Sequence, residues 1–197
     1  MTEQLTQASQ AQNLHVLLAG FGGQGILFAG KLVAYAGLLD GRQVSWMPSY
    51  GPEMRGGTAN CSVCLSSDLI GSPIVTEPDV LVALNKPSYD NFVGKVKPGG
   101  LVLVDKTMID ACTLRNDIRF ESIEATRLAE ENELQGLANV VIVGKLLQAT
   151  GFSTIPQLEI AIEKSVSEKQ LWLVDHNKRA LALGFEHVSG DDCKQES

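Results

Sequence analysis

The chain has 197 residues, 44% of them hydrophobic, and a net charge of −7. This length and apolar content fit a single domain with a buried core. Because an acidic chain without a cluster of Lys and Arg is a poor match for polyanions, we expect neither nucleic acid nor a membrane surface as a partner.

Targeting signals are also not expected. The sequence holds no run of about 18 apolar residues, the length that crosses a bilayer. The start lacks a basic stretch followed by an apolar one, so a signal peptide is not predicted. The four cysteines then indicate reduced thiols and a cytoplasmic protein.

Composition divides the chain into three segments. Residues 1–12 are polar and lack periodicity, which predicts a flexible N-terminus. Residues 13–186 are expected to form one α/β domain, and 187–197 a flexible acidic tail. No repeat and no linker interrupts the middle segment.

The first half of the domain alternates strand and helix patterns. Residues 14–19 (LHVLLA) predict a buried strand, and 24–39 an amphipathic helix ended by Asp40-Gly41. Further strands are expected at 42–47, 59–65, 80–84 and 101–104, with a short helix at 86–93. This order predicts a three-layer, Rossmann-like α/β fold, in which a mostly parallel sheet carries helices on both faces.

The second half changes to helical periodicity after residue 122. Helices are expected at 123–133 and at 137–150, the second ending at Gly151. Pro156 is expected near the start of the next helix, after Ser153 and Thr154. A last helix at 169–183 is expected to end with Gly184 as its cap, so the C-terminal part is predicted to be helical.

A glycine-rich loop at 20–25 (GFGGQG) follows the first strand and matches the dinucleotide pattern G-x-G-x-x-G. Small residues there let an anion approach the N–H groups at a helix start. A dinucleotide site also needs an acid at the carboxyl end of the second strand, but that end reads Ser-Trp-Met at 45–47, and Asp40 lies at the other end. Dinucleotide binding, close strand-to-helix packing, and contact with another phosphate or a partner's cofactor stay open. Gln24 either points into the cleft or is solvated.

A second irregular loop lies in 48–61 (PSYGPEMRGGTANC). Its two prolines and three glycines exclude a regular helix or strand. Arg55 either offers its guanidinium fork to a carboxylate or phosphate, or pairs with Glu53. Asn60 is expected to fix the loop through its backbone. Two loops at one end of a parallel sheet would face each other across a cleft.

Cys61 and Cys64 are three residues apart on a predicted strand. Their side chains should therefore point to opposite faces, which disfavours a shared metal ion and favours buried thiols. The sequence also lacks a Ser/His/Asp set, paired catalytic acids and a Walker motif. We expect no metal site and no catalytic residue of its own, so the chain would supply only part of a site.

At its loops the chain resembles the γ subunit of the 2-oxoacid:ferredoxin oxidoreductases. The matching strings are GFGGQG at 20–25, SYGPEMRGGTAN at 49–60 and LVALNKPS at 81–88. The similarity runs from about residue 13 to residue 184. The form is most similar to the 2-oxoglutarate or branched-chain 2-oxoacid members, rather than to the pyruvate members.

This resemblance implies an enzyme subunit that is inactive in isolation. The family oxidatively decarboxylates a 2-oxoacid to an acyl-coenzyme A and passes electrons to ferredoxin. The resemblance implies that thiamine diphosphate, magnesium and iron–sulfur clusters are bound by α, β and δ (ferredoxin-like) partner subunits. It implies that this chain alone binds none of these cofactors, and that coenzyme A is the co-substrate. The γ domain is implied to cover the active-site cleft and to contact coenzyme A.

The residues assigned to contact with coenzyme A or with the partner's active site lie in the two loops. They are Gly22, Gly23, Gln24, Gly25, Ser49, Tyr50, Gly51, Glu53, Arg55, Gly56 and Asn60. Two alternatives stay open: a free-standing, NAD(P)-binding Rossmann-type oxidoreductase, and a scaffold subunit that touches no ligand.

Overall fold

A computed structural model describes residues 13–49, 58–110 and 115–188. The strands are β1 (Leu14–Phe21), β2 (Gln43–Ser49), β3 (Thr58–Ser66), β4 (Val80–Ala83), β5 (Leu101–Asp105) and β6 (Arg119–Ile123). The α-helices are α1 (Ile26–Leu39), α2 (Lys86–Phe92), α3 (Ala125–Glu131), α4 (Ala138–Thr150), α5 (Ile155–Ser165) and α6 (Leu173–Glu186). In the ranges described, we find no helix with the length and apolarity needed to cross a bilayer.

The six strands form one sheet in the order β2-β3-β1-β4-β5-β6. β1, β4, β5 and β6 pair in parallel, whereas β3 runs antiparallel between β1 and β2. The apolar runs of β4 and β5 are fully buried, as parallel strands covered on both faces require. The predicted α/β fold with a mostly parallel sheet is confirmed.

The two faces of the sheet are covered unequally. One face packs against α1, α3, α4, α5 and α6, and its core includes Leu18, Val82 and Leu103. The other face packs against α2 through Leu17, Leu81 and their neighbours. Alternating residues of the same strands thus supply two separate cores. The opposite face carries fewer helices, and its part over β2 and β3 is more open.

Glycine sets the distance between α4 and α6. A Cβ added to Gly184 would lie 1.8 Å from the carbonyl oxygen of Val141, and one added to Gly144 would lie 2.1 Å from that of Leu181. The prediction that Gly184 caps the last helix is therefore wrong, because Gly184 lies inside α6, which ends at Glu186. It is glycine because the backbone of α4 occupies the space of a side chain.

Most predicted elements in the second half are confirmed, with one strand missed. The predicted helix at 123–133 joins the end of β6 to α3, so β6 was not recognised. Gly151 ends α4 with a φ of 61°, as predicted. Thr154 caps α5 by accepting a hydrogen bond from the Gln157 N–H at 3.4 Å, which confirms the predicted entry beside Pro156.

Candidate functional site

Strand register brings the two predicted loops to the same edge of the sheet. Phe21, the last residue of β1, pairs with Thr58, and Ser49, the last residue of β2, pairs with Asn60. The glycine loop and both ends of the segment at 50–57 therefore lie at the carboxyl ends of β1 and β2. Ligands of open α/β sheets bind at such an edge. Five predicted contacts lie outside the described residues: Tyr50, Gly51, Glu53, Arg55 and Gly56.

The amide of Gln24 is bonded within the chain. Its Oε1 accepts hydrogen bonds from the Phe21 N–H at 2.7 Å and from Asn85 Nδ2 at 3.2 Å. Its Nε2 donates to the carbonyl oxygen of Leu84 at 3.0 Å. The half-buried side chain therefore joins the glycine loop to the end of β4, and its contact with coenzyme A or a partner stays a prediction.

Two glycines of the loop make room for amide side chains. A Cβ on Gly20 would lie 2.8 Å from Ile26 Cδ1 and 2.9 Å from Gln24 Oε1. A Cβ on Gly25 would lie 2.4 Å from Asn139 Nδ2, which donates to the Gly25 carbonyl oxygen at 3.1 Å. Gly25 also has a φ of 72°, a left-handed conformation that glycine adopts without strain. Part of the motif is therefore explained by packing at the start of α1.

The middle two glycines face outward. A Cβ on Gly22 or Gly23 would meet no atom within 4 Å, and Gly23 has a φ of 93°. Their backbone N–H groups donate to no acceptor within the described part of the chain. Exposed N–H groups just before a helix start attract anions. This half of the motif can therefore bind a phosphate or a carboxylate.

A buried carboxylate lies farther along the same edge, at the end of β5. Asp105 is fully buried and accepts from the Thr107 N–H at 3.1 Å and from the Thr126 hydroxyl at 2.5 Å. These bonds join β5 to the start of α3. They occupy both carboxylate oxygens, so Asp105 has a structural role in the arrangement described.

A cavity of about 550 Å³ lies on the open face of the sheet and includes two predicted contact residues. Its lining includes Leu17, Ser49, Asn60, Ser62, Phe92 and Lys95. A second cavity of about 560 Å³ lies at the amino ends of the strands, beside Asp79 and Lys97. The first cavity shares Ser49 and Asn60 with the predicted site, whereas the second lies at the opposite edge from the glycine loop.

The cysteine pair is buried on β3. Cys61 Sγ lies 3.6 Å from the Ile26 carbonyl oxygen on the α1 face, whereas Cys64 Sγ contacts Pro73 on the other face, so the predicted opposite orientation is confirmed. Burial raises the pKa of Cys61 to about 12 and also raises that of Cys64. In the described ranges, no three His, Cys, Asp or Glu side chains lie close enough to hold a metal ion.

Comparison with known proteins identifies the family. Residues 15–187 match the family described as pyruvate ferredoxin/flavodoxin oxidoreductase, so the chain belongs to that family. The predicted resemblance is thereby confirmed.

Similar proteins include ketoisovalerate oxidoreductase subunit VorA of Methanothermobacter marburgensis, 39% identical over 89% of this chain. This chain spans only 36% of the length of that relative. The 2-oxoglutarate synthase subunit KorC of Methanocaldococcus jannaschii is 36% identical over 87% of this chain and 91% of KorC. A solved γ subunit of a keto/oxoacid ferredoxin oxidoreductase from Geobacter sulfurreducens PCA has a TM-score of 0.76 at 28% identity, covering 88% of this chain and 96% of that one.

Sequence reasoning missed two asparagines that shape the glycine loop. Asn85 precedes Lys86-Pro87, a combination typical of a helix start, and its Oδ1 accepts from the Ser88 N–H at 2.9 Å. Asn139 is the one polar residue in the apolar first half of α4 (ANVVIVG) and is 4% exposed. Such a buried polar residue signals a hydrogen-bonded role, but its partner, Gly25, is 114 residues away in sequence.

Proposed function

We propose that this chain is the γ-type subunit of a multi-subunit 2-oxoacid:ferredoxin oxidoreductase. The observation that carries the proposal is the match to KorC, which extends over 87% of this chain and 91% of that relative. The enzyme would oxidatively decarboxylate a 2-oxoacid, transfer the acyl group to coenzyme A and reduce ferredoxin. Thiamine diphosphate, magnesium and iron–sulfur clusters would be held by α, β and δ (ferredoxin-like) subunits.

The substrate we place first is 2-oxoglutarate, with a branched-chain 2-oxoacid second. The KorC relative, named for 2-oxoglutarate, is matched along nearly all of both chains. The VorA relative, named for ketoisovalerate, has the higher identity, 39% against 36%, but is matched over a smaller share of its own length. Both names agree with the substrate classes that the sequence resembles.

The edge that carries the glycine loop is our proposed contact with coenzyme A and with the partner's active-site cleft. The outward N–H groups of Gly22 and Gly23 suit an anionic group, and coenzyme A carries phosphates. Ser49 and Asn60 line the adjoining cavity. Arg55, in the segment between them, would add a bidentate donor for a phosphate. Gln24 would support this surface from inside.

The sheet order disfavours the dinucleotide alternative. In a dinucleotide-binding Rossmann fold the second strand lies next to the first, so that its terminal acid reaches the ribose. Here β3 lies between β1 and β2, and β2 ends in Ser49 rather than in an acid. The ligand-free scaffold is disfavoured by the outward N–H groups of the loop. Titration of the chain with NADH is expected to give no binding.

The deciding experiment is co-expression of the chain with its α, β and δ subunits. We expect them to purify together and to reduce a dye acceptor with 2-oxoglutarate and coenzyme A, while the chain alone stays at background. Turnover by the isolated chain, or a chain that joins no such complex, would refute the assignment.

Arg55→Ala in the complex tests the coenzyme A contact separately. We expect the KM for coenzyme A to rise by the equivalent of about 1–3 kcal/mol, with Arg55→Lys recovering only part. If the guanidinium only pairs with Glu53 at the surface, both variants should behave as wild type, because exposed pairs contribute about 0–1 kcal/mol. Size-exclusion chromatography would verify that assembly is intact.

A further inference from the structure

We propose that Gln24 and Asn85 are positioning residues that join the glycine loop and the start of α2 into one unit. In this role they fix the place of the Gly22 and Gly23 N–H groups for the anionic part of the ligand. The identity of that ligand as coenzyme A rests on the proposed function, whereas the joint itself rests only on the geometry of this chain.

The joint continues the pairing of β1 and β4 beyond the last strand residues. The Leu84 N–H still donates to the Ala19 carbonyl oxygen at 2.9 Å, as a further step of the parallel ladder. The Leu84 carbonyl oxygen then accepts from Gln24 Nε2 at 3.0 Å. The side chain of Gln24 thus takes the place of a strand backbone where β1 turns into the loop.

Gln24 also holds the loop in its turn, through both its backbone and its side chain. The Gln24 N–H donates to the Phe21 carbonyl oxygen at 3.2 Å, and Gln24 Oε1 accepts from the Phe21 N–H at 2.7 Å. Gly22 and Gly23 lie between these two residues, and their backbone N–H groups donate to no acceptor in the described part of the chain. Their position therefore depends on where the Gln24 amide is held.

Asn85 fixes the Gln24 amide from the other side. Its Oδ1 caps α2 by accepting from the Ser88 N–H at 2.9 Å, and its Nδ2 donates to Gln24 Oε1 at 3.2 Å. Asn85 is 2% exposed, so water does not compete for its amide. Because the cap orients the oxygen, the nitrogen must face Gln24.

Because the Asn85 oxygen caps α2 and the Asn85 nitrogen bonds to Gln24, one substitution can remove the second contact and keep the first. Asn85→Asp keeps an oxygen for the cap, which Asp serves as well as Asn, and removes the donor to Gln24. It also sets a carboxylate oxygen against Gln24 Oε1, which should turn the Gln24 amide away from the Phe21 N–H. Gln24→Leu, as the second variant, removes both the acceptor of the Phe21 N–H and the donor to Leu84. Asn132→Asp, at an exposed position, is the matched control.

Hydrogen exchange of the full-length chain, read residue by residue by NMR, measures the joint without any assay of activity. We expect the Phe21 amide to exchange about tenfold faster in Asn85→Asp and in Gln24→Leu, the effect of losing one hydrogen bond, and to be unchanged in Asn132→Asp. An unchanged Phe21 exchange rate in both loop variants would overturn the proposal.

The positioning role is tested in the assembled enzyme. We expect the KM for coenzyme A to rise several-fold in Asn85→Asp, by more than kcat falls, with Asn132→Asp unchanged. Faster Phe21 exchange together with a wild-type KM would overturn the positioning role. If the chain joined no oxidoreductase at all, the proposed function would fail, while the exchange rates would still decide whether the joint exists.

Discussion

Asn139 Nδ2 donates a hydrogen bond to the carbonyl oxygen of Gly25 at 3.1 Å, linking the first turn of α4 to the residue just before α1. The side chain is 4% exposed, and its Oδ1 has no hydrogen-bond partner among the described residues. The Asn139 nitrogen is thus hydrogen-bonded, whereas burial of its oxygen without a partner lowers the free energy of unfolding.

That asymmetry predicts how substitutions at Asn139 rank. Asn139→Asp replaces the donor with an oxygen facing the Gly25 carbonyl, and should lower the free energy of unfolding by about 3 kcal/mol. Asn139→Leu loses the same bond but also removes the unpaired oxygen, so a loss of about 1 kcal/mol is expected. Urea denaturation measures both, with Asn132→Asp as the control, which loses an exposed hydrogen bond from Nδ2 to the Leu128 carbonyl oxygen but no buried one. A leucine variant less stable than the aspartate variant would contradict this account.

The contact between α4 and α6 predicts that Gly184 tolerates no side chain. Gly184→Ala would place a methyl group against backbone rather than against a movable side chain, so the helices must separate. We expect a loss of about 3 kcal/mol in thermal or urea unfolding, at the upper end of overpacking effects. Gly94→Ala is the control, because a Cβ there would meet nothing within 4 Å. Equal stability of the two variants would show that α6 shifts freely.

The pKa of Cys61 predicts a thiol that does not react in the folded chain. Burial raises this pKa from 9.0 to about 12, so the thiolate that reacts with iodoacetamide is scarce even at pH 10. Mass spectrometry should find Cys61 unmodified under native conditions and modified in urea. Rapid native alkylation would contradict the buried position.

The same shift in the pKa of Cys61 predicts a trend of stability with pH. Above pH 9 the unfolded thiol releases its proton while the folded one keeps it, so stability should fall as the pH rises from 9 towards 12. The Cys61→Ala variant should show a weaker decline over this range. Parallel slopes for the two proteins in urea titrations at pH 8 to 10.5 would refute the assignment of the decline to this thiol.

The ion pair at the amino edge of the sheet predicts that substitutions of its two partners lower the stability of the protein unequally. Asp79 accepts from Lys97 Nζ at 2.7 Å and also from the His15 N–H at 2.7 Å. Lys97→Ala removes the partly exposed pair and the contact of Nζ with His15 Nδ1 at 3.4 Å, for which we expect a loss of at most about 1 kcal/mol. Asp79→Ala also removes the acceptor of a backbone N–H, so about 2 kcal/mol is expected, with Asp79→Asn recovering part. Equal losses in Lys97→Ala and Asp79→Ala would assign the stabilisation to the ion pair alone.

Hydrophobic periodicity was sufficient to predict the helices and strands whose residues are each clearly buried or clearly exposed. The strands with continuous apolar runs and the helices bounded by Gly151 and Thr154 were predicted closely. β6 was missed because its five residues, RFESI, include two exposed or partly exposed charges at an edge of the sheet and merge with the helix that follows.

The details of the site depend on contacts that a linear pattern does not contain. Gly184 has the sequence features of a helix cap, and only the position of α4 makes it a packing residue. Gln24 has the features of a solvated helix-start residue, but its partners, Leu84 and Asn85, are 60 and 61 residues away in sequence. The motif indicated which loop lies at the carboxyl edge of the sheet, but not which of its members face inward.

The antiparallel direction of β3 affects which part of this sequence can change during evolution without disturbing the sheet. Because Ser49 pairs with Asn60, the chain between β2 and β3 is a hairpin connection whose two ends are fixed side by side. The closure entropy of such a connection grows only logarithmically, by about 0.6 kcal/mol for each doubling of its length. Insertions, deletions and exchanges between residues 50 and 57 therefore cost the sheet little. The contact with coenzyme A that we propose for this segment can thus be altered while the strands keep their register.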